Sequence, residues 1–482
     1  MTKQECAIKY ITENYLDFDR LRHDVIADKL QIRLSSEEAI SLSDEVAMRL
    51  SGEEIEYWRE LTKHDINSIV CHAAQEYDAN ITSREVMTAL QSDLIPDVHP
   101  LREYIQSLRP YTPEQPDWID FVASQVKVKT SPESATDRCE APVDRHSVAV
   151  DGRSATPVEL HSQSTASRAS DLQCSASETN YSKANYSSHS ERSKADRLWR
   201  VCFKKWFVAM VASWMKDEVV NHQVLVLIGR QGIYKTTWLE HLLPPHLRAY
   251  ACKLANSSDL NKDERLRIAE FGLISLDEID SMNNRELNQL KSVITASDVN
   301  ERAAYAYTKE RRVRLASFCA SGNRRDFLTD ITGNRRWLPF EVESILNPFY
   351  TTLPYELMYA QAWALAQDPR FSYWFELEEI ELLEQHNQHF RDESNEEQLL
   401  PILFDIPAEG KGEFLTTAQI SERLVTYGNI KKPMALSRLG VLMSSMGYKS
   451  VQRQIGCHRG RGWIVYQRDT DEIAHMKRLL IL

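Results

Sequence analysis

The residues with the clearest chemical potential lie in residues 224–237, VLVLIGRQGIYKTT. Gly229 and Gly232 permit tight turns in which backbone amides face phosphate oxygens. Lys235 can reach the β- and γ-phosphates of a nucleotide, and Thr236 offers a hydroxyl to Mg²⁺. The spacing predicts a phosphate-binding loop between a buried strand and a helix. The alternative is a glycine-containing strand-helix turn without a ligand.

One position of this loop departs from the usual pattern, because Tyr234 stands where a glycine normally precedes the lysine. Backbone amides make the phosphate contacts, so a side chain that points away from the nucleotide is compatible with binding. The predicted nucleotide-binding residues are Gly229, Arg230, Gln231, Gly232, Ile233, Tyr234, Lys235, Thr236 and Thr237.

Two carboxylates follow a second apolar segment. Residues 273–276 (LISL) predict a short strand whose end delivers Asp277 and Glu278. After a phosphate loop, one carboxylate can hold the Mg²⁺ shell, and the next can orient and polarise the attacking water. An Asp-Glu pair alone is common, so this prediction depends on the loop that precedes it.

A third apolar segment, residues 313–323, ends in Asn323. The order of elements places this asparagine beside the Asp277 strand, where it can contact the γ-phosphate or the water. The alternative is an asparagine in a turn after Gly322.

Two arginines, Arg335 and Arg336, follow in a Gly-Asn turn. They are candidates for a charge clamp on the transferring phosphate, supplied by a neighbouring subunit. The alternative is an ion pair with Asp330.

These groups need elements to position them. Apolar and aromatic residues recur at helical spacing in residues 195–215, which predicts a helix leading into the phosphate loop. The aromatic stripe of this helix favours a core position, and the alternative is a base-stacking platform. With the strands at 224–228, 273–276 and 313–323, it predicts an α/β nucleoside-triphosphatase core over residues 195–345 and a helical extension over residues 346–405.

Four stretches in this order, GRQGIYKTT, LISLDEID, FCASGN and DITGNRRW, resemble the ATPase domain of the virulence-associated protein E family. That family is related to the superfamily 3 helicases of viruses, phages and bacterial mobile elements. The resemblance covers about residues 195 to 405. It implies that Lys235 and Thr236 bind phosphate and Mg²⁺, and that Asp277 and Glu278 serve Mg²⁺ and water. Asn323 is then the phosphate sensor, and Arg335 or Arg336 reaches into the next subunit of a ring.

The resemblance also implies a pore-facing loop between Asp277 and Asn323 that contacts a DNA strand. Residues 300–314 (NERAAYAYTKERRVR) interleave basic residues with tyrosines, which suits backbone contact and base stacking. The alternative is a solvated charged hairpin. The predicted DNA-binding residues here are Arg302, Tyr305, Lys309, Arg311 and Arg312.

The C-terminal residues 406–482 predict two capped helices followed by a basic hairpin, the order of a winged helix. Lys449, Arg453, Arg459 and Arg461 are predicted on or near the wing, for binding DNA. A winged helix that makes only protein contacts is the alternative.

The N-terminal residues 1–128 predict a small all-helical domain. Residues 129–194 are rich in serine and poor in apolar residues, which predicts a disordered linker. The N-terminal part has no primase signature, and its polar surface leaves open the recruitment of a separate primase.

The composition sets the remaining limits. The 482-residue chain has a formal charge of −12, which argues against a surface coated in non-specific nucleic-acid affinity but permits local basic patches. Eight cysteines without a Cys-x-x-Cys pair favour reduced thiols over a zinc site. No apolar run has the length to span a bilayer and the N-terminus is no secretory signal, so we expect a cytoplasmic protein without membrane contact.

The sequence therefore predicts a phosphate-loop ATPase of the superfamily 3 type, with an N-terminal helical domain and a C-terminal winged helix. We expect a Mg²⁺- and ATP-dependent hydrolase that acts on DNA as a homo-oligomeric ring, a helicase in the replication of a mobile or phage-derived element. The alternative is a regulatory or defence protein that is switched by a nucleotide and binds DNA without processive unwinding.

Overall fold

A computed structural model of the chain describes residues 1–34, 58–129, 193–254, 262–301, 310–328, 334–407, 412–455 and 458–480. The chain divides into two units, Met1–Lys129 with Leu198–Leu482, and Thr130–Arg197. Apart from its two ends, the predicted serine-rich linker at 129–194 lies outside the described residues.

The described helices are numbered in chain order. They are α1 (Lys3–Ile11), α2 (Lys63–Glu76), α3 (Ser83–Leu90), α4 (Pro100–Ser107), α5 (Trp118–Ala123), α6 (Lys194–Met215), α7 (Lys235–Glu240), α8 (Lys262–Glu270), α9 (Asn284–Thr295), α10 (Tyr355–Gln367), α11 (Leu377–Asn387), α12 (Asn395–Leu403), α13 (Thr417–Gly428), α14 (Leu436–Ser445) and α15 (Thr470–Leu480). Among them, none combines the length and apolar character that crossing a bilayer requires.

The described strands are numbered in the same way. They are β1 (Leu21–Asp24), β2 (Lys29–Arg33), β3 (Trp58–Glu60), β4 (Asp97–Val98), β5 (Val126–Val128), β6 (Val224–Ile228), β7 (Ala251–Leu254), β8 (Leu273–Leu276), β9 (Asp298–Glu301), β10 (Glu310–Val313), β11 (Ser317–Gly322), β12 (Trp337–Ile345), β13 (Phe404–Asp405), β14 (Glu413–Thr416), β15 (Ser450–Ile455) and β16 (His458–Gln467).

The central sheet has the strand order β5-β12-β6-β11-β8-β7. Five of its strands are parallel, and β5 pairs antiparallel with β12 at one edge. The inner strands β6, β8 and β11 are buried along their whole length, as expected for a parallel sheet covered on both faces. β11 lies between β6 and β8, so the carboxyl ends of these three strands meet at one edge of the sheet.

Helix α6 is buried on nearly all sides, and its tryptophans anchor it to the sheet. The indole N–H groups of Trp206 and Trp214 donate to the carbonyl oxygens of Phe318 (3.0 Å) and Gly272 (3.2 Å). Each buried indole thereby satisfies its one polar group while it fills core volume. The aromatic stripe is core, as predicted, and is not a surface for stacking bases.

The prediction of an all-helical N-terminal domain is wrong. Helices α1 to α4 are present, but residues 21–98 also form a four-stranded sheet in the order β3-β2-β1-β4. These strands have two to five residues, too few for an alternating apolar pattern to be distinguished from a helical one. The parallel pairing of β1 with β4 joins His23 to Asp97, which only the folded chain brings together. The observed architecture is mixed α/β with several sheets.

The C-terminal part has the predicted order of helix, helix and hairpin. Helices α13 and α14 share a core with Trp463 and Val465 of β16, and β16 pairs antiparallel with β14 and β15. This core also takes in Leu400 and Leu403 of α12, which precede the predicted domain start at residue 406. Arg459 and Arg461, predicted on or near the wing, lie on strand β16.

Candidate functional site

The loop between β6 and α7 has backbone geometry that explains its glycines. A Cβ atom on Gly229 would lie 2.8 Å from the carbonyl oxygen of Val342, so a larger residue would collide with strand β12. Gly232 has φ +84°, in the left-handed region that glycine adopts readily. Tyr234 also lies in this region, with φ 65°, and α7 begins directly after it at Lys235. A non-glycine residue here carries backbone strain.

Lys235 points back into the loop. Its Nζ donates to the carbonyl oxygens of Gly229 (2.7 Å) and Arg230 (2.8 Å), and lies 3.3 Å from Oδ1 of Asn323. The residue is only 7% exposed. Burial lowers the pKa of Lys235, and the negative charges of Asp280 and Asp277 offset part of that effect. The predicted site residues Lys235, at the start of α7, and Asn323, which follows β11, are therefore in contact.

Three oxygen-bearing side chains converge beside the lysine. Thr236 Oγ1 lies 3.2 Å from Asp277 Oδ1 and 3.0 Å from Ser321 Oγ, and Ser321 donates to the same carboxylate oxygen at 2.6 Å. Hydroxyl and carboxylate oxygens are the ligands that Mg²⁺ takes, usually from one or two carboxylates together with phosphates of the substrate. The residues present thus fit a magnesium ion held jointly with a nucleotide. Within the described residues, no group of three or more His, Cys, Asp and Glu side chains could hold a metal by itself.

Ser321 was not among the sequence-predicted site residues. It is one of two serines in a strand whose other residues are Phe, Cys, Ala and Gly, and it lies two positions before Asn323. Because β11 lies between β6 and β8, Ser321 lies between Thr236 and Asp277 and can contact both side chains. The polar residue near the end of a buried strand was the available signal.

Asp280 is a second residue that sequence analysis missed. Its two carboxylate oxygens accept from the backbone N–H groups of Asn323 (3.1 Å) and Arg324 (3.2 Å). It thereby holds the turn after β11 and so positions the Asn323 side chain. The available signal was the third acidic residue in LDEID, residues 276–280. Glu278, by contrast, is exposed at the same edge and has φ 52°, a second strained non-glycine position.

Arg335 and Arg336 lie away from the cluster of side chains around Lys235. They form the short turn Asn334–Arg336 before β12, whose first residue, Trp337, pairs with Val224 at the start of β6. The loop that contains Gly229 and Gly232 follows the other end of β6, and a five-residue strand spans about 13 Å. Partial burial and the positive charges of Arg314, Arg336 and Arg335 lower the pKa of His222 just before β6. The two arginines therefore lie near the amino-terminal ends of the parallel strands, whereas Lys235 lies near their carboxyl ends.

The segment of the chain that contains all these residues matches a known domain family. Residues 183–392 match the virulence-associated protein E-like domain. The matched segment includes the loop, the three converging strands and the arginine turn, and it excludes the N-terminal sheet and the C-terminal helices. No curated protein matches the chain.

Solved structures of the NrS-1 C-terminal region share a weak overall likeness with the chain. An apo A form of residues 305–718 of that protein aligns over 96% of this chain and 99% of its own, at 9% identity and a TM-score of 0.42. A second A-form structure aligns over 92% and 96%, at 10% identity and a TM-score of 0.39.

The DNA-binding residues predicted within the matched domain are only partly described. Arg302, Tyr305 and Lys309 lie outside the described residues. Arg311, on β10, pairs with Asp298 and keeps 74% of its side chain exposed. Arg312 pairs with Asp28 at 3.1 Å and with Glu270 at 3.6 Å, and only 18% of its side chain is exposed. Arg312 therefore joins this domain to the N-terminal part of the chain, which leaves Arg311 as the accessible cation of the two.

The basic residues after this domain are divided between two faces of the β15–β16 hairpin. Arg461 lies opposite Gln452, while Arg453 pairs with Gly460 on the other face. Lys449, which precedes β15, and Arg453 and Arg461 are exposed. The side chain of Arg459 is outside the described residues.

Proposed function

We propose that the chain is a DNA-dependent ATPase, acting as a ring-forming helicase in the replication of a mobile or phage-derived element. One observation supports this above all: three parallel strands bring Lys235, Thr236, Asp277, Ser321 and Asn323 to one edge of the sheet. An ammonium, hydroxyls, a carboxylate and an amide at one point are what phosphoryl transfer from a nucleotide requires.

Each residue has a role in this proposal. The loop amides and Lys235 bind the phosphates, and the ammonium shifts from the carbonyl oxygens of Gly229 and Arg230 toward phosphate oxygens. Asn323, held by Asp280, hydrogen-bonds the γ-phosphate or the attacking water. Glu278, exposed at the strand end, orients that water and accepts its proton.

Thr236 and Asp277, with Ser321 holding the Asp277 carboxylate, would bind a magnesium ion together with the nucleotide. The ion would supply neutralisation of the charge on the phosphate oxygens. Because only one carboxylate is offered by the described residues at this point, binding of the ion should depend on the nucleotide's own phosphates.

A ring is part of the proposal because of where the arginines lie. Arg335 and Arg336 sit at the sheet edge opposite to Lys235 of the same chain, so they reach a phosphate only in a neighbouring subunit. An arginine supplied in trans stabilises the charge of the transition state. Hydrolysis would therefore require assembly.

DNA would contact the β9–β10 hairpin and the C-terminal hairpin. Arg311 is an exposed cation in the described part of the first, and Arg453 and Arg461 lie on opposite faces of the second. Lysine and arginine contacts to phosphates release counterions, so binding should weaken as salt rises.

The test is hydrolysis of ATP by the purified chain with Mg²⁺, with and without single-stranded DNA. We expect turnover that rises with DNA and is abolished in Glu278→Gln, while Glu378→Gln, an exposed glutamate on α11, leaves it unchanged. Wild-type hydrolysis in Lys235→Ala would show that the assigned site is wrong.

Tyr234 favours a second candidate function, a nucleotide-switched regulatory or defence protein that binds DNA without processive unwinding. Its side chain replaces the glycine that usually precedes the lysine, and its backbone is strained. A motor should lose DNA-stimulated turnover in Arg311→Ala, whereas a switch should bind ATP and show no stimulation by DNA in the wild type.

A further inference from the structure

The two sides of strand β6 differ in chemistry. On the β11 and β8 side, the loop faces Asp277, Ser321 and Asn323, the groups assigned above to magnesium and the terminal phosphate. On the other side lies β12, so close that the carbonyl of Val342 excludes a side chain at position 229. A nucleotide whose terminal phosphate lies toward β11 has its nucleoside toward β12.

Aromatic side chains are exposed on the β12 side. Tyr234 of the loop is 39% exposed, Phe349 is 62% exposed and Tyr350 is 89% exposed, in the turn that follows β12. Large apolar rings that remain in water beside a ligand loop are available for a planar partner.

Asn347 holds two of these residues together. Its Nδ2 donates to the hydroxyl of Tyr234 at 3.4 Å, and its Oδ1 accepts from the backbone N–H of Phe349 at 3.0 Å. The Phe349 ring also packs edge-on against His241 at the end of α7, with a centroid distance of 5.6 Å. One asparagine thus fixes the turn after β12 against the loop that precedes Lys235.

We propose that Tyr234 and Phe349 form the nucleobase subsite of this nucleotide site, an inference that rests on the proposed function. The base of a nucleoside triphosphate stacks on these rings while its phosphates enter the loop. Tyr234 then contributes a ring to the base where the usual glycine contributes none, and its amide remains available to phosphate. Since stacking depends on a π-face that all bases have, purine nucleotides should bind with similar affinity.

The experiment compares ATP with inorganic tripolyphosphate, which has the phosphates but no base. Calorimetric titrations with Mg²⁺ use the full-length wild type, Phe349→Ala, Tyr234→Gly and Tyr234→Phe. The control is Phe18→Ala, which removes a ring that is 60% exposed in the N-terminal part. Glycine suits the positive φ at position 234, so that variant should remain folded.

We expect Phe349→Ala and Tyr234→Gly to weaken ATP binding about ten-fold, about 1.4 kcal/mol, and to leave tripolyphosphate binding unchanged. Phe18→Ala should match the wild type for both ligands, and Tyr234→Phe, which keeps the ring but loses the hydroxyl that Asn347 contacts, should bind ATP more tightly than Tyr234→Gly. Equal weakening of both ligands, or unchanged ATP binding in Phe349→Ala, overturns the nucleobase subsite and leaves the phosphate site standing.

The outcomes also distinguish failure of the nucleobase subsite from failure of the proposed ATPase function. A wild type that binds neither ATP nor tripolyphosphate overturns both. A Phe349→Ala variant that changes the sedimentation coefficient, with ATP and tripolyphosphate affected alike, assigns the exposed rings to a contact between copies of the chain and overturns the subsite.

Discussion

Ser321 donates a hydrogen bond of 2.6 Å to Oδ1 of Asp277, across the neighbouring strands β11 and β8. The same carboxylate oxygen lies 3.2 Å from the hydroxyl of Thr236. The bond fixes the rotamer of the carboxylate and directs it toward the head of α7. A serine in the middle strand thereby ties the carboxylate strand to the phosphate loop, which are not adjacent in the sheet.

Ser321→Ala should raise the Mg²⁺ concentration needed for half-maximal ATP hydrolysis about ten-fold, because loss of a group that orients a metal ligand typically costs that much. Binding of tripolyphosphate without Mg²⁺ should remain unchanged. Ser344→Ala, an exposed serine on β12, is the matched control. A magnesium dependence identical to that of the wild type would remove Ser321 from the site.

Asp280→Ala should lower the rate of ATP hydrolysis about ten- to a hundred-fold with little effect on the Michaelis constant, because Asn323 loses the two backbone hydrogen bonds that position it. Asp326→Ala removes a carboxylate that pairs with Arg324 in the same turn and should leave the rate unaltered. If both variants had the same rate, the turn after β11 would not depend on Asp280.

Arg335→Ala and Lys235→Ala should each abolish hydrolysis alone, and a mixture of the two proteins should recover part of it. In the mixture, a subunit with an intact loop can receive Arg335 from a Lys235→Ala neighbour. Steady-state hydrolysis across mixing ratios measures this recovery, with the same analysis for Arg336→Ala. Inactivity at every ratio would contradict an arginine supplied between subunits.

His99 should make folding sensitive to acid. Its Nδ1 accepts from the backbone N–H of Arg102 at the start of α4. Burial, together with the positive charge of Arg102, lowers its pKa from 6.5 to about 4, with Asp24 and Asp217 opposing the shift. Between these values the unfolded chain binds the proton and the folded chain does not, so stability rises with pH from about 4 to about 6.5.

We expect His99 to account for a loss on the order of 2 kcal/mol in unfolding free energy between pH 7 and pH 4, allowing for its partial exposure. Urea unfolding at several pH values measures this loss. His99→Asn keeps a side-chain acceptor at the helix start and should flatten the pH dependence. An unaltered profile in that variant would assign the acid sensitivity to other groups.

Arg311 and Arg312 should differ in their effect on DNA although they are adjacent. Arg311→Ala should weaken binding of single-stranded DNA and reduce the slope of log K against log salt by about 0.7, the value for one lost phosphate contact. Arg312→Ala should leave that slope unchanged, because its guanidinium is engaged with Asp28 and Glu270. Fluorescence anisotropy over a salt series distinguishes them, and equal slopes would contradict the assignment.

Arg312 should instead contribute to stability. A double-mutant cycle of Arg312→Ala and Asp28→Ala should show a coupling of about 0.5 to 1 kcal/mol, as for a partly exposed ion pair. Additive effects of the two substitutions on urea unfolding would show that the pair is not coupled.

Local sequence was sufficient to predict the strand, loop and helix over residues 224–240. Gly229, Gly232, Lys235 and Thr236 occur within eight residues, and their spacing alone limits the backbone to a turn that ends at a helix. The segments at 224–228 and 273–276 were recognisable as buried strands because each is a short and mainly apolar run. The order of elements predicted Asn323 beside the Asp277 strand, and the strand order of the sheet, with β11 between β6 and β8, also brings it beside the loop.

The sequence by itself thus predicted which residues form a nucleotide site, because that prediction depends on residue types at short spacing. Only the tertiary structure decided which groups act together. It inserted Ser321 between Thr236 and Asp277, paired Arg312 with Asp28 and formed the N-terminal sheet from strands too short to have a pattern. The physical reason is that strand order and long-range pairing depend on how the apolar faces of whole helices and strands are buried against one another. No short stretch of sequence specifies that burial.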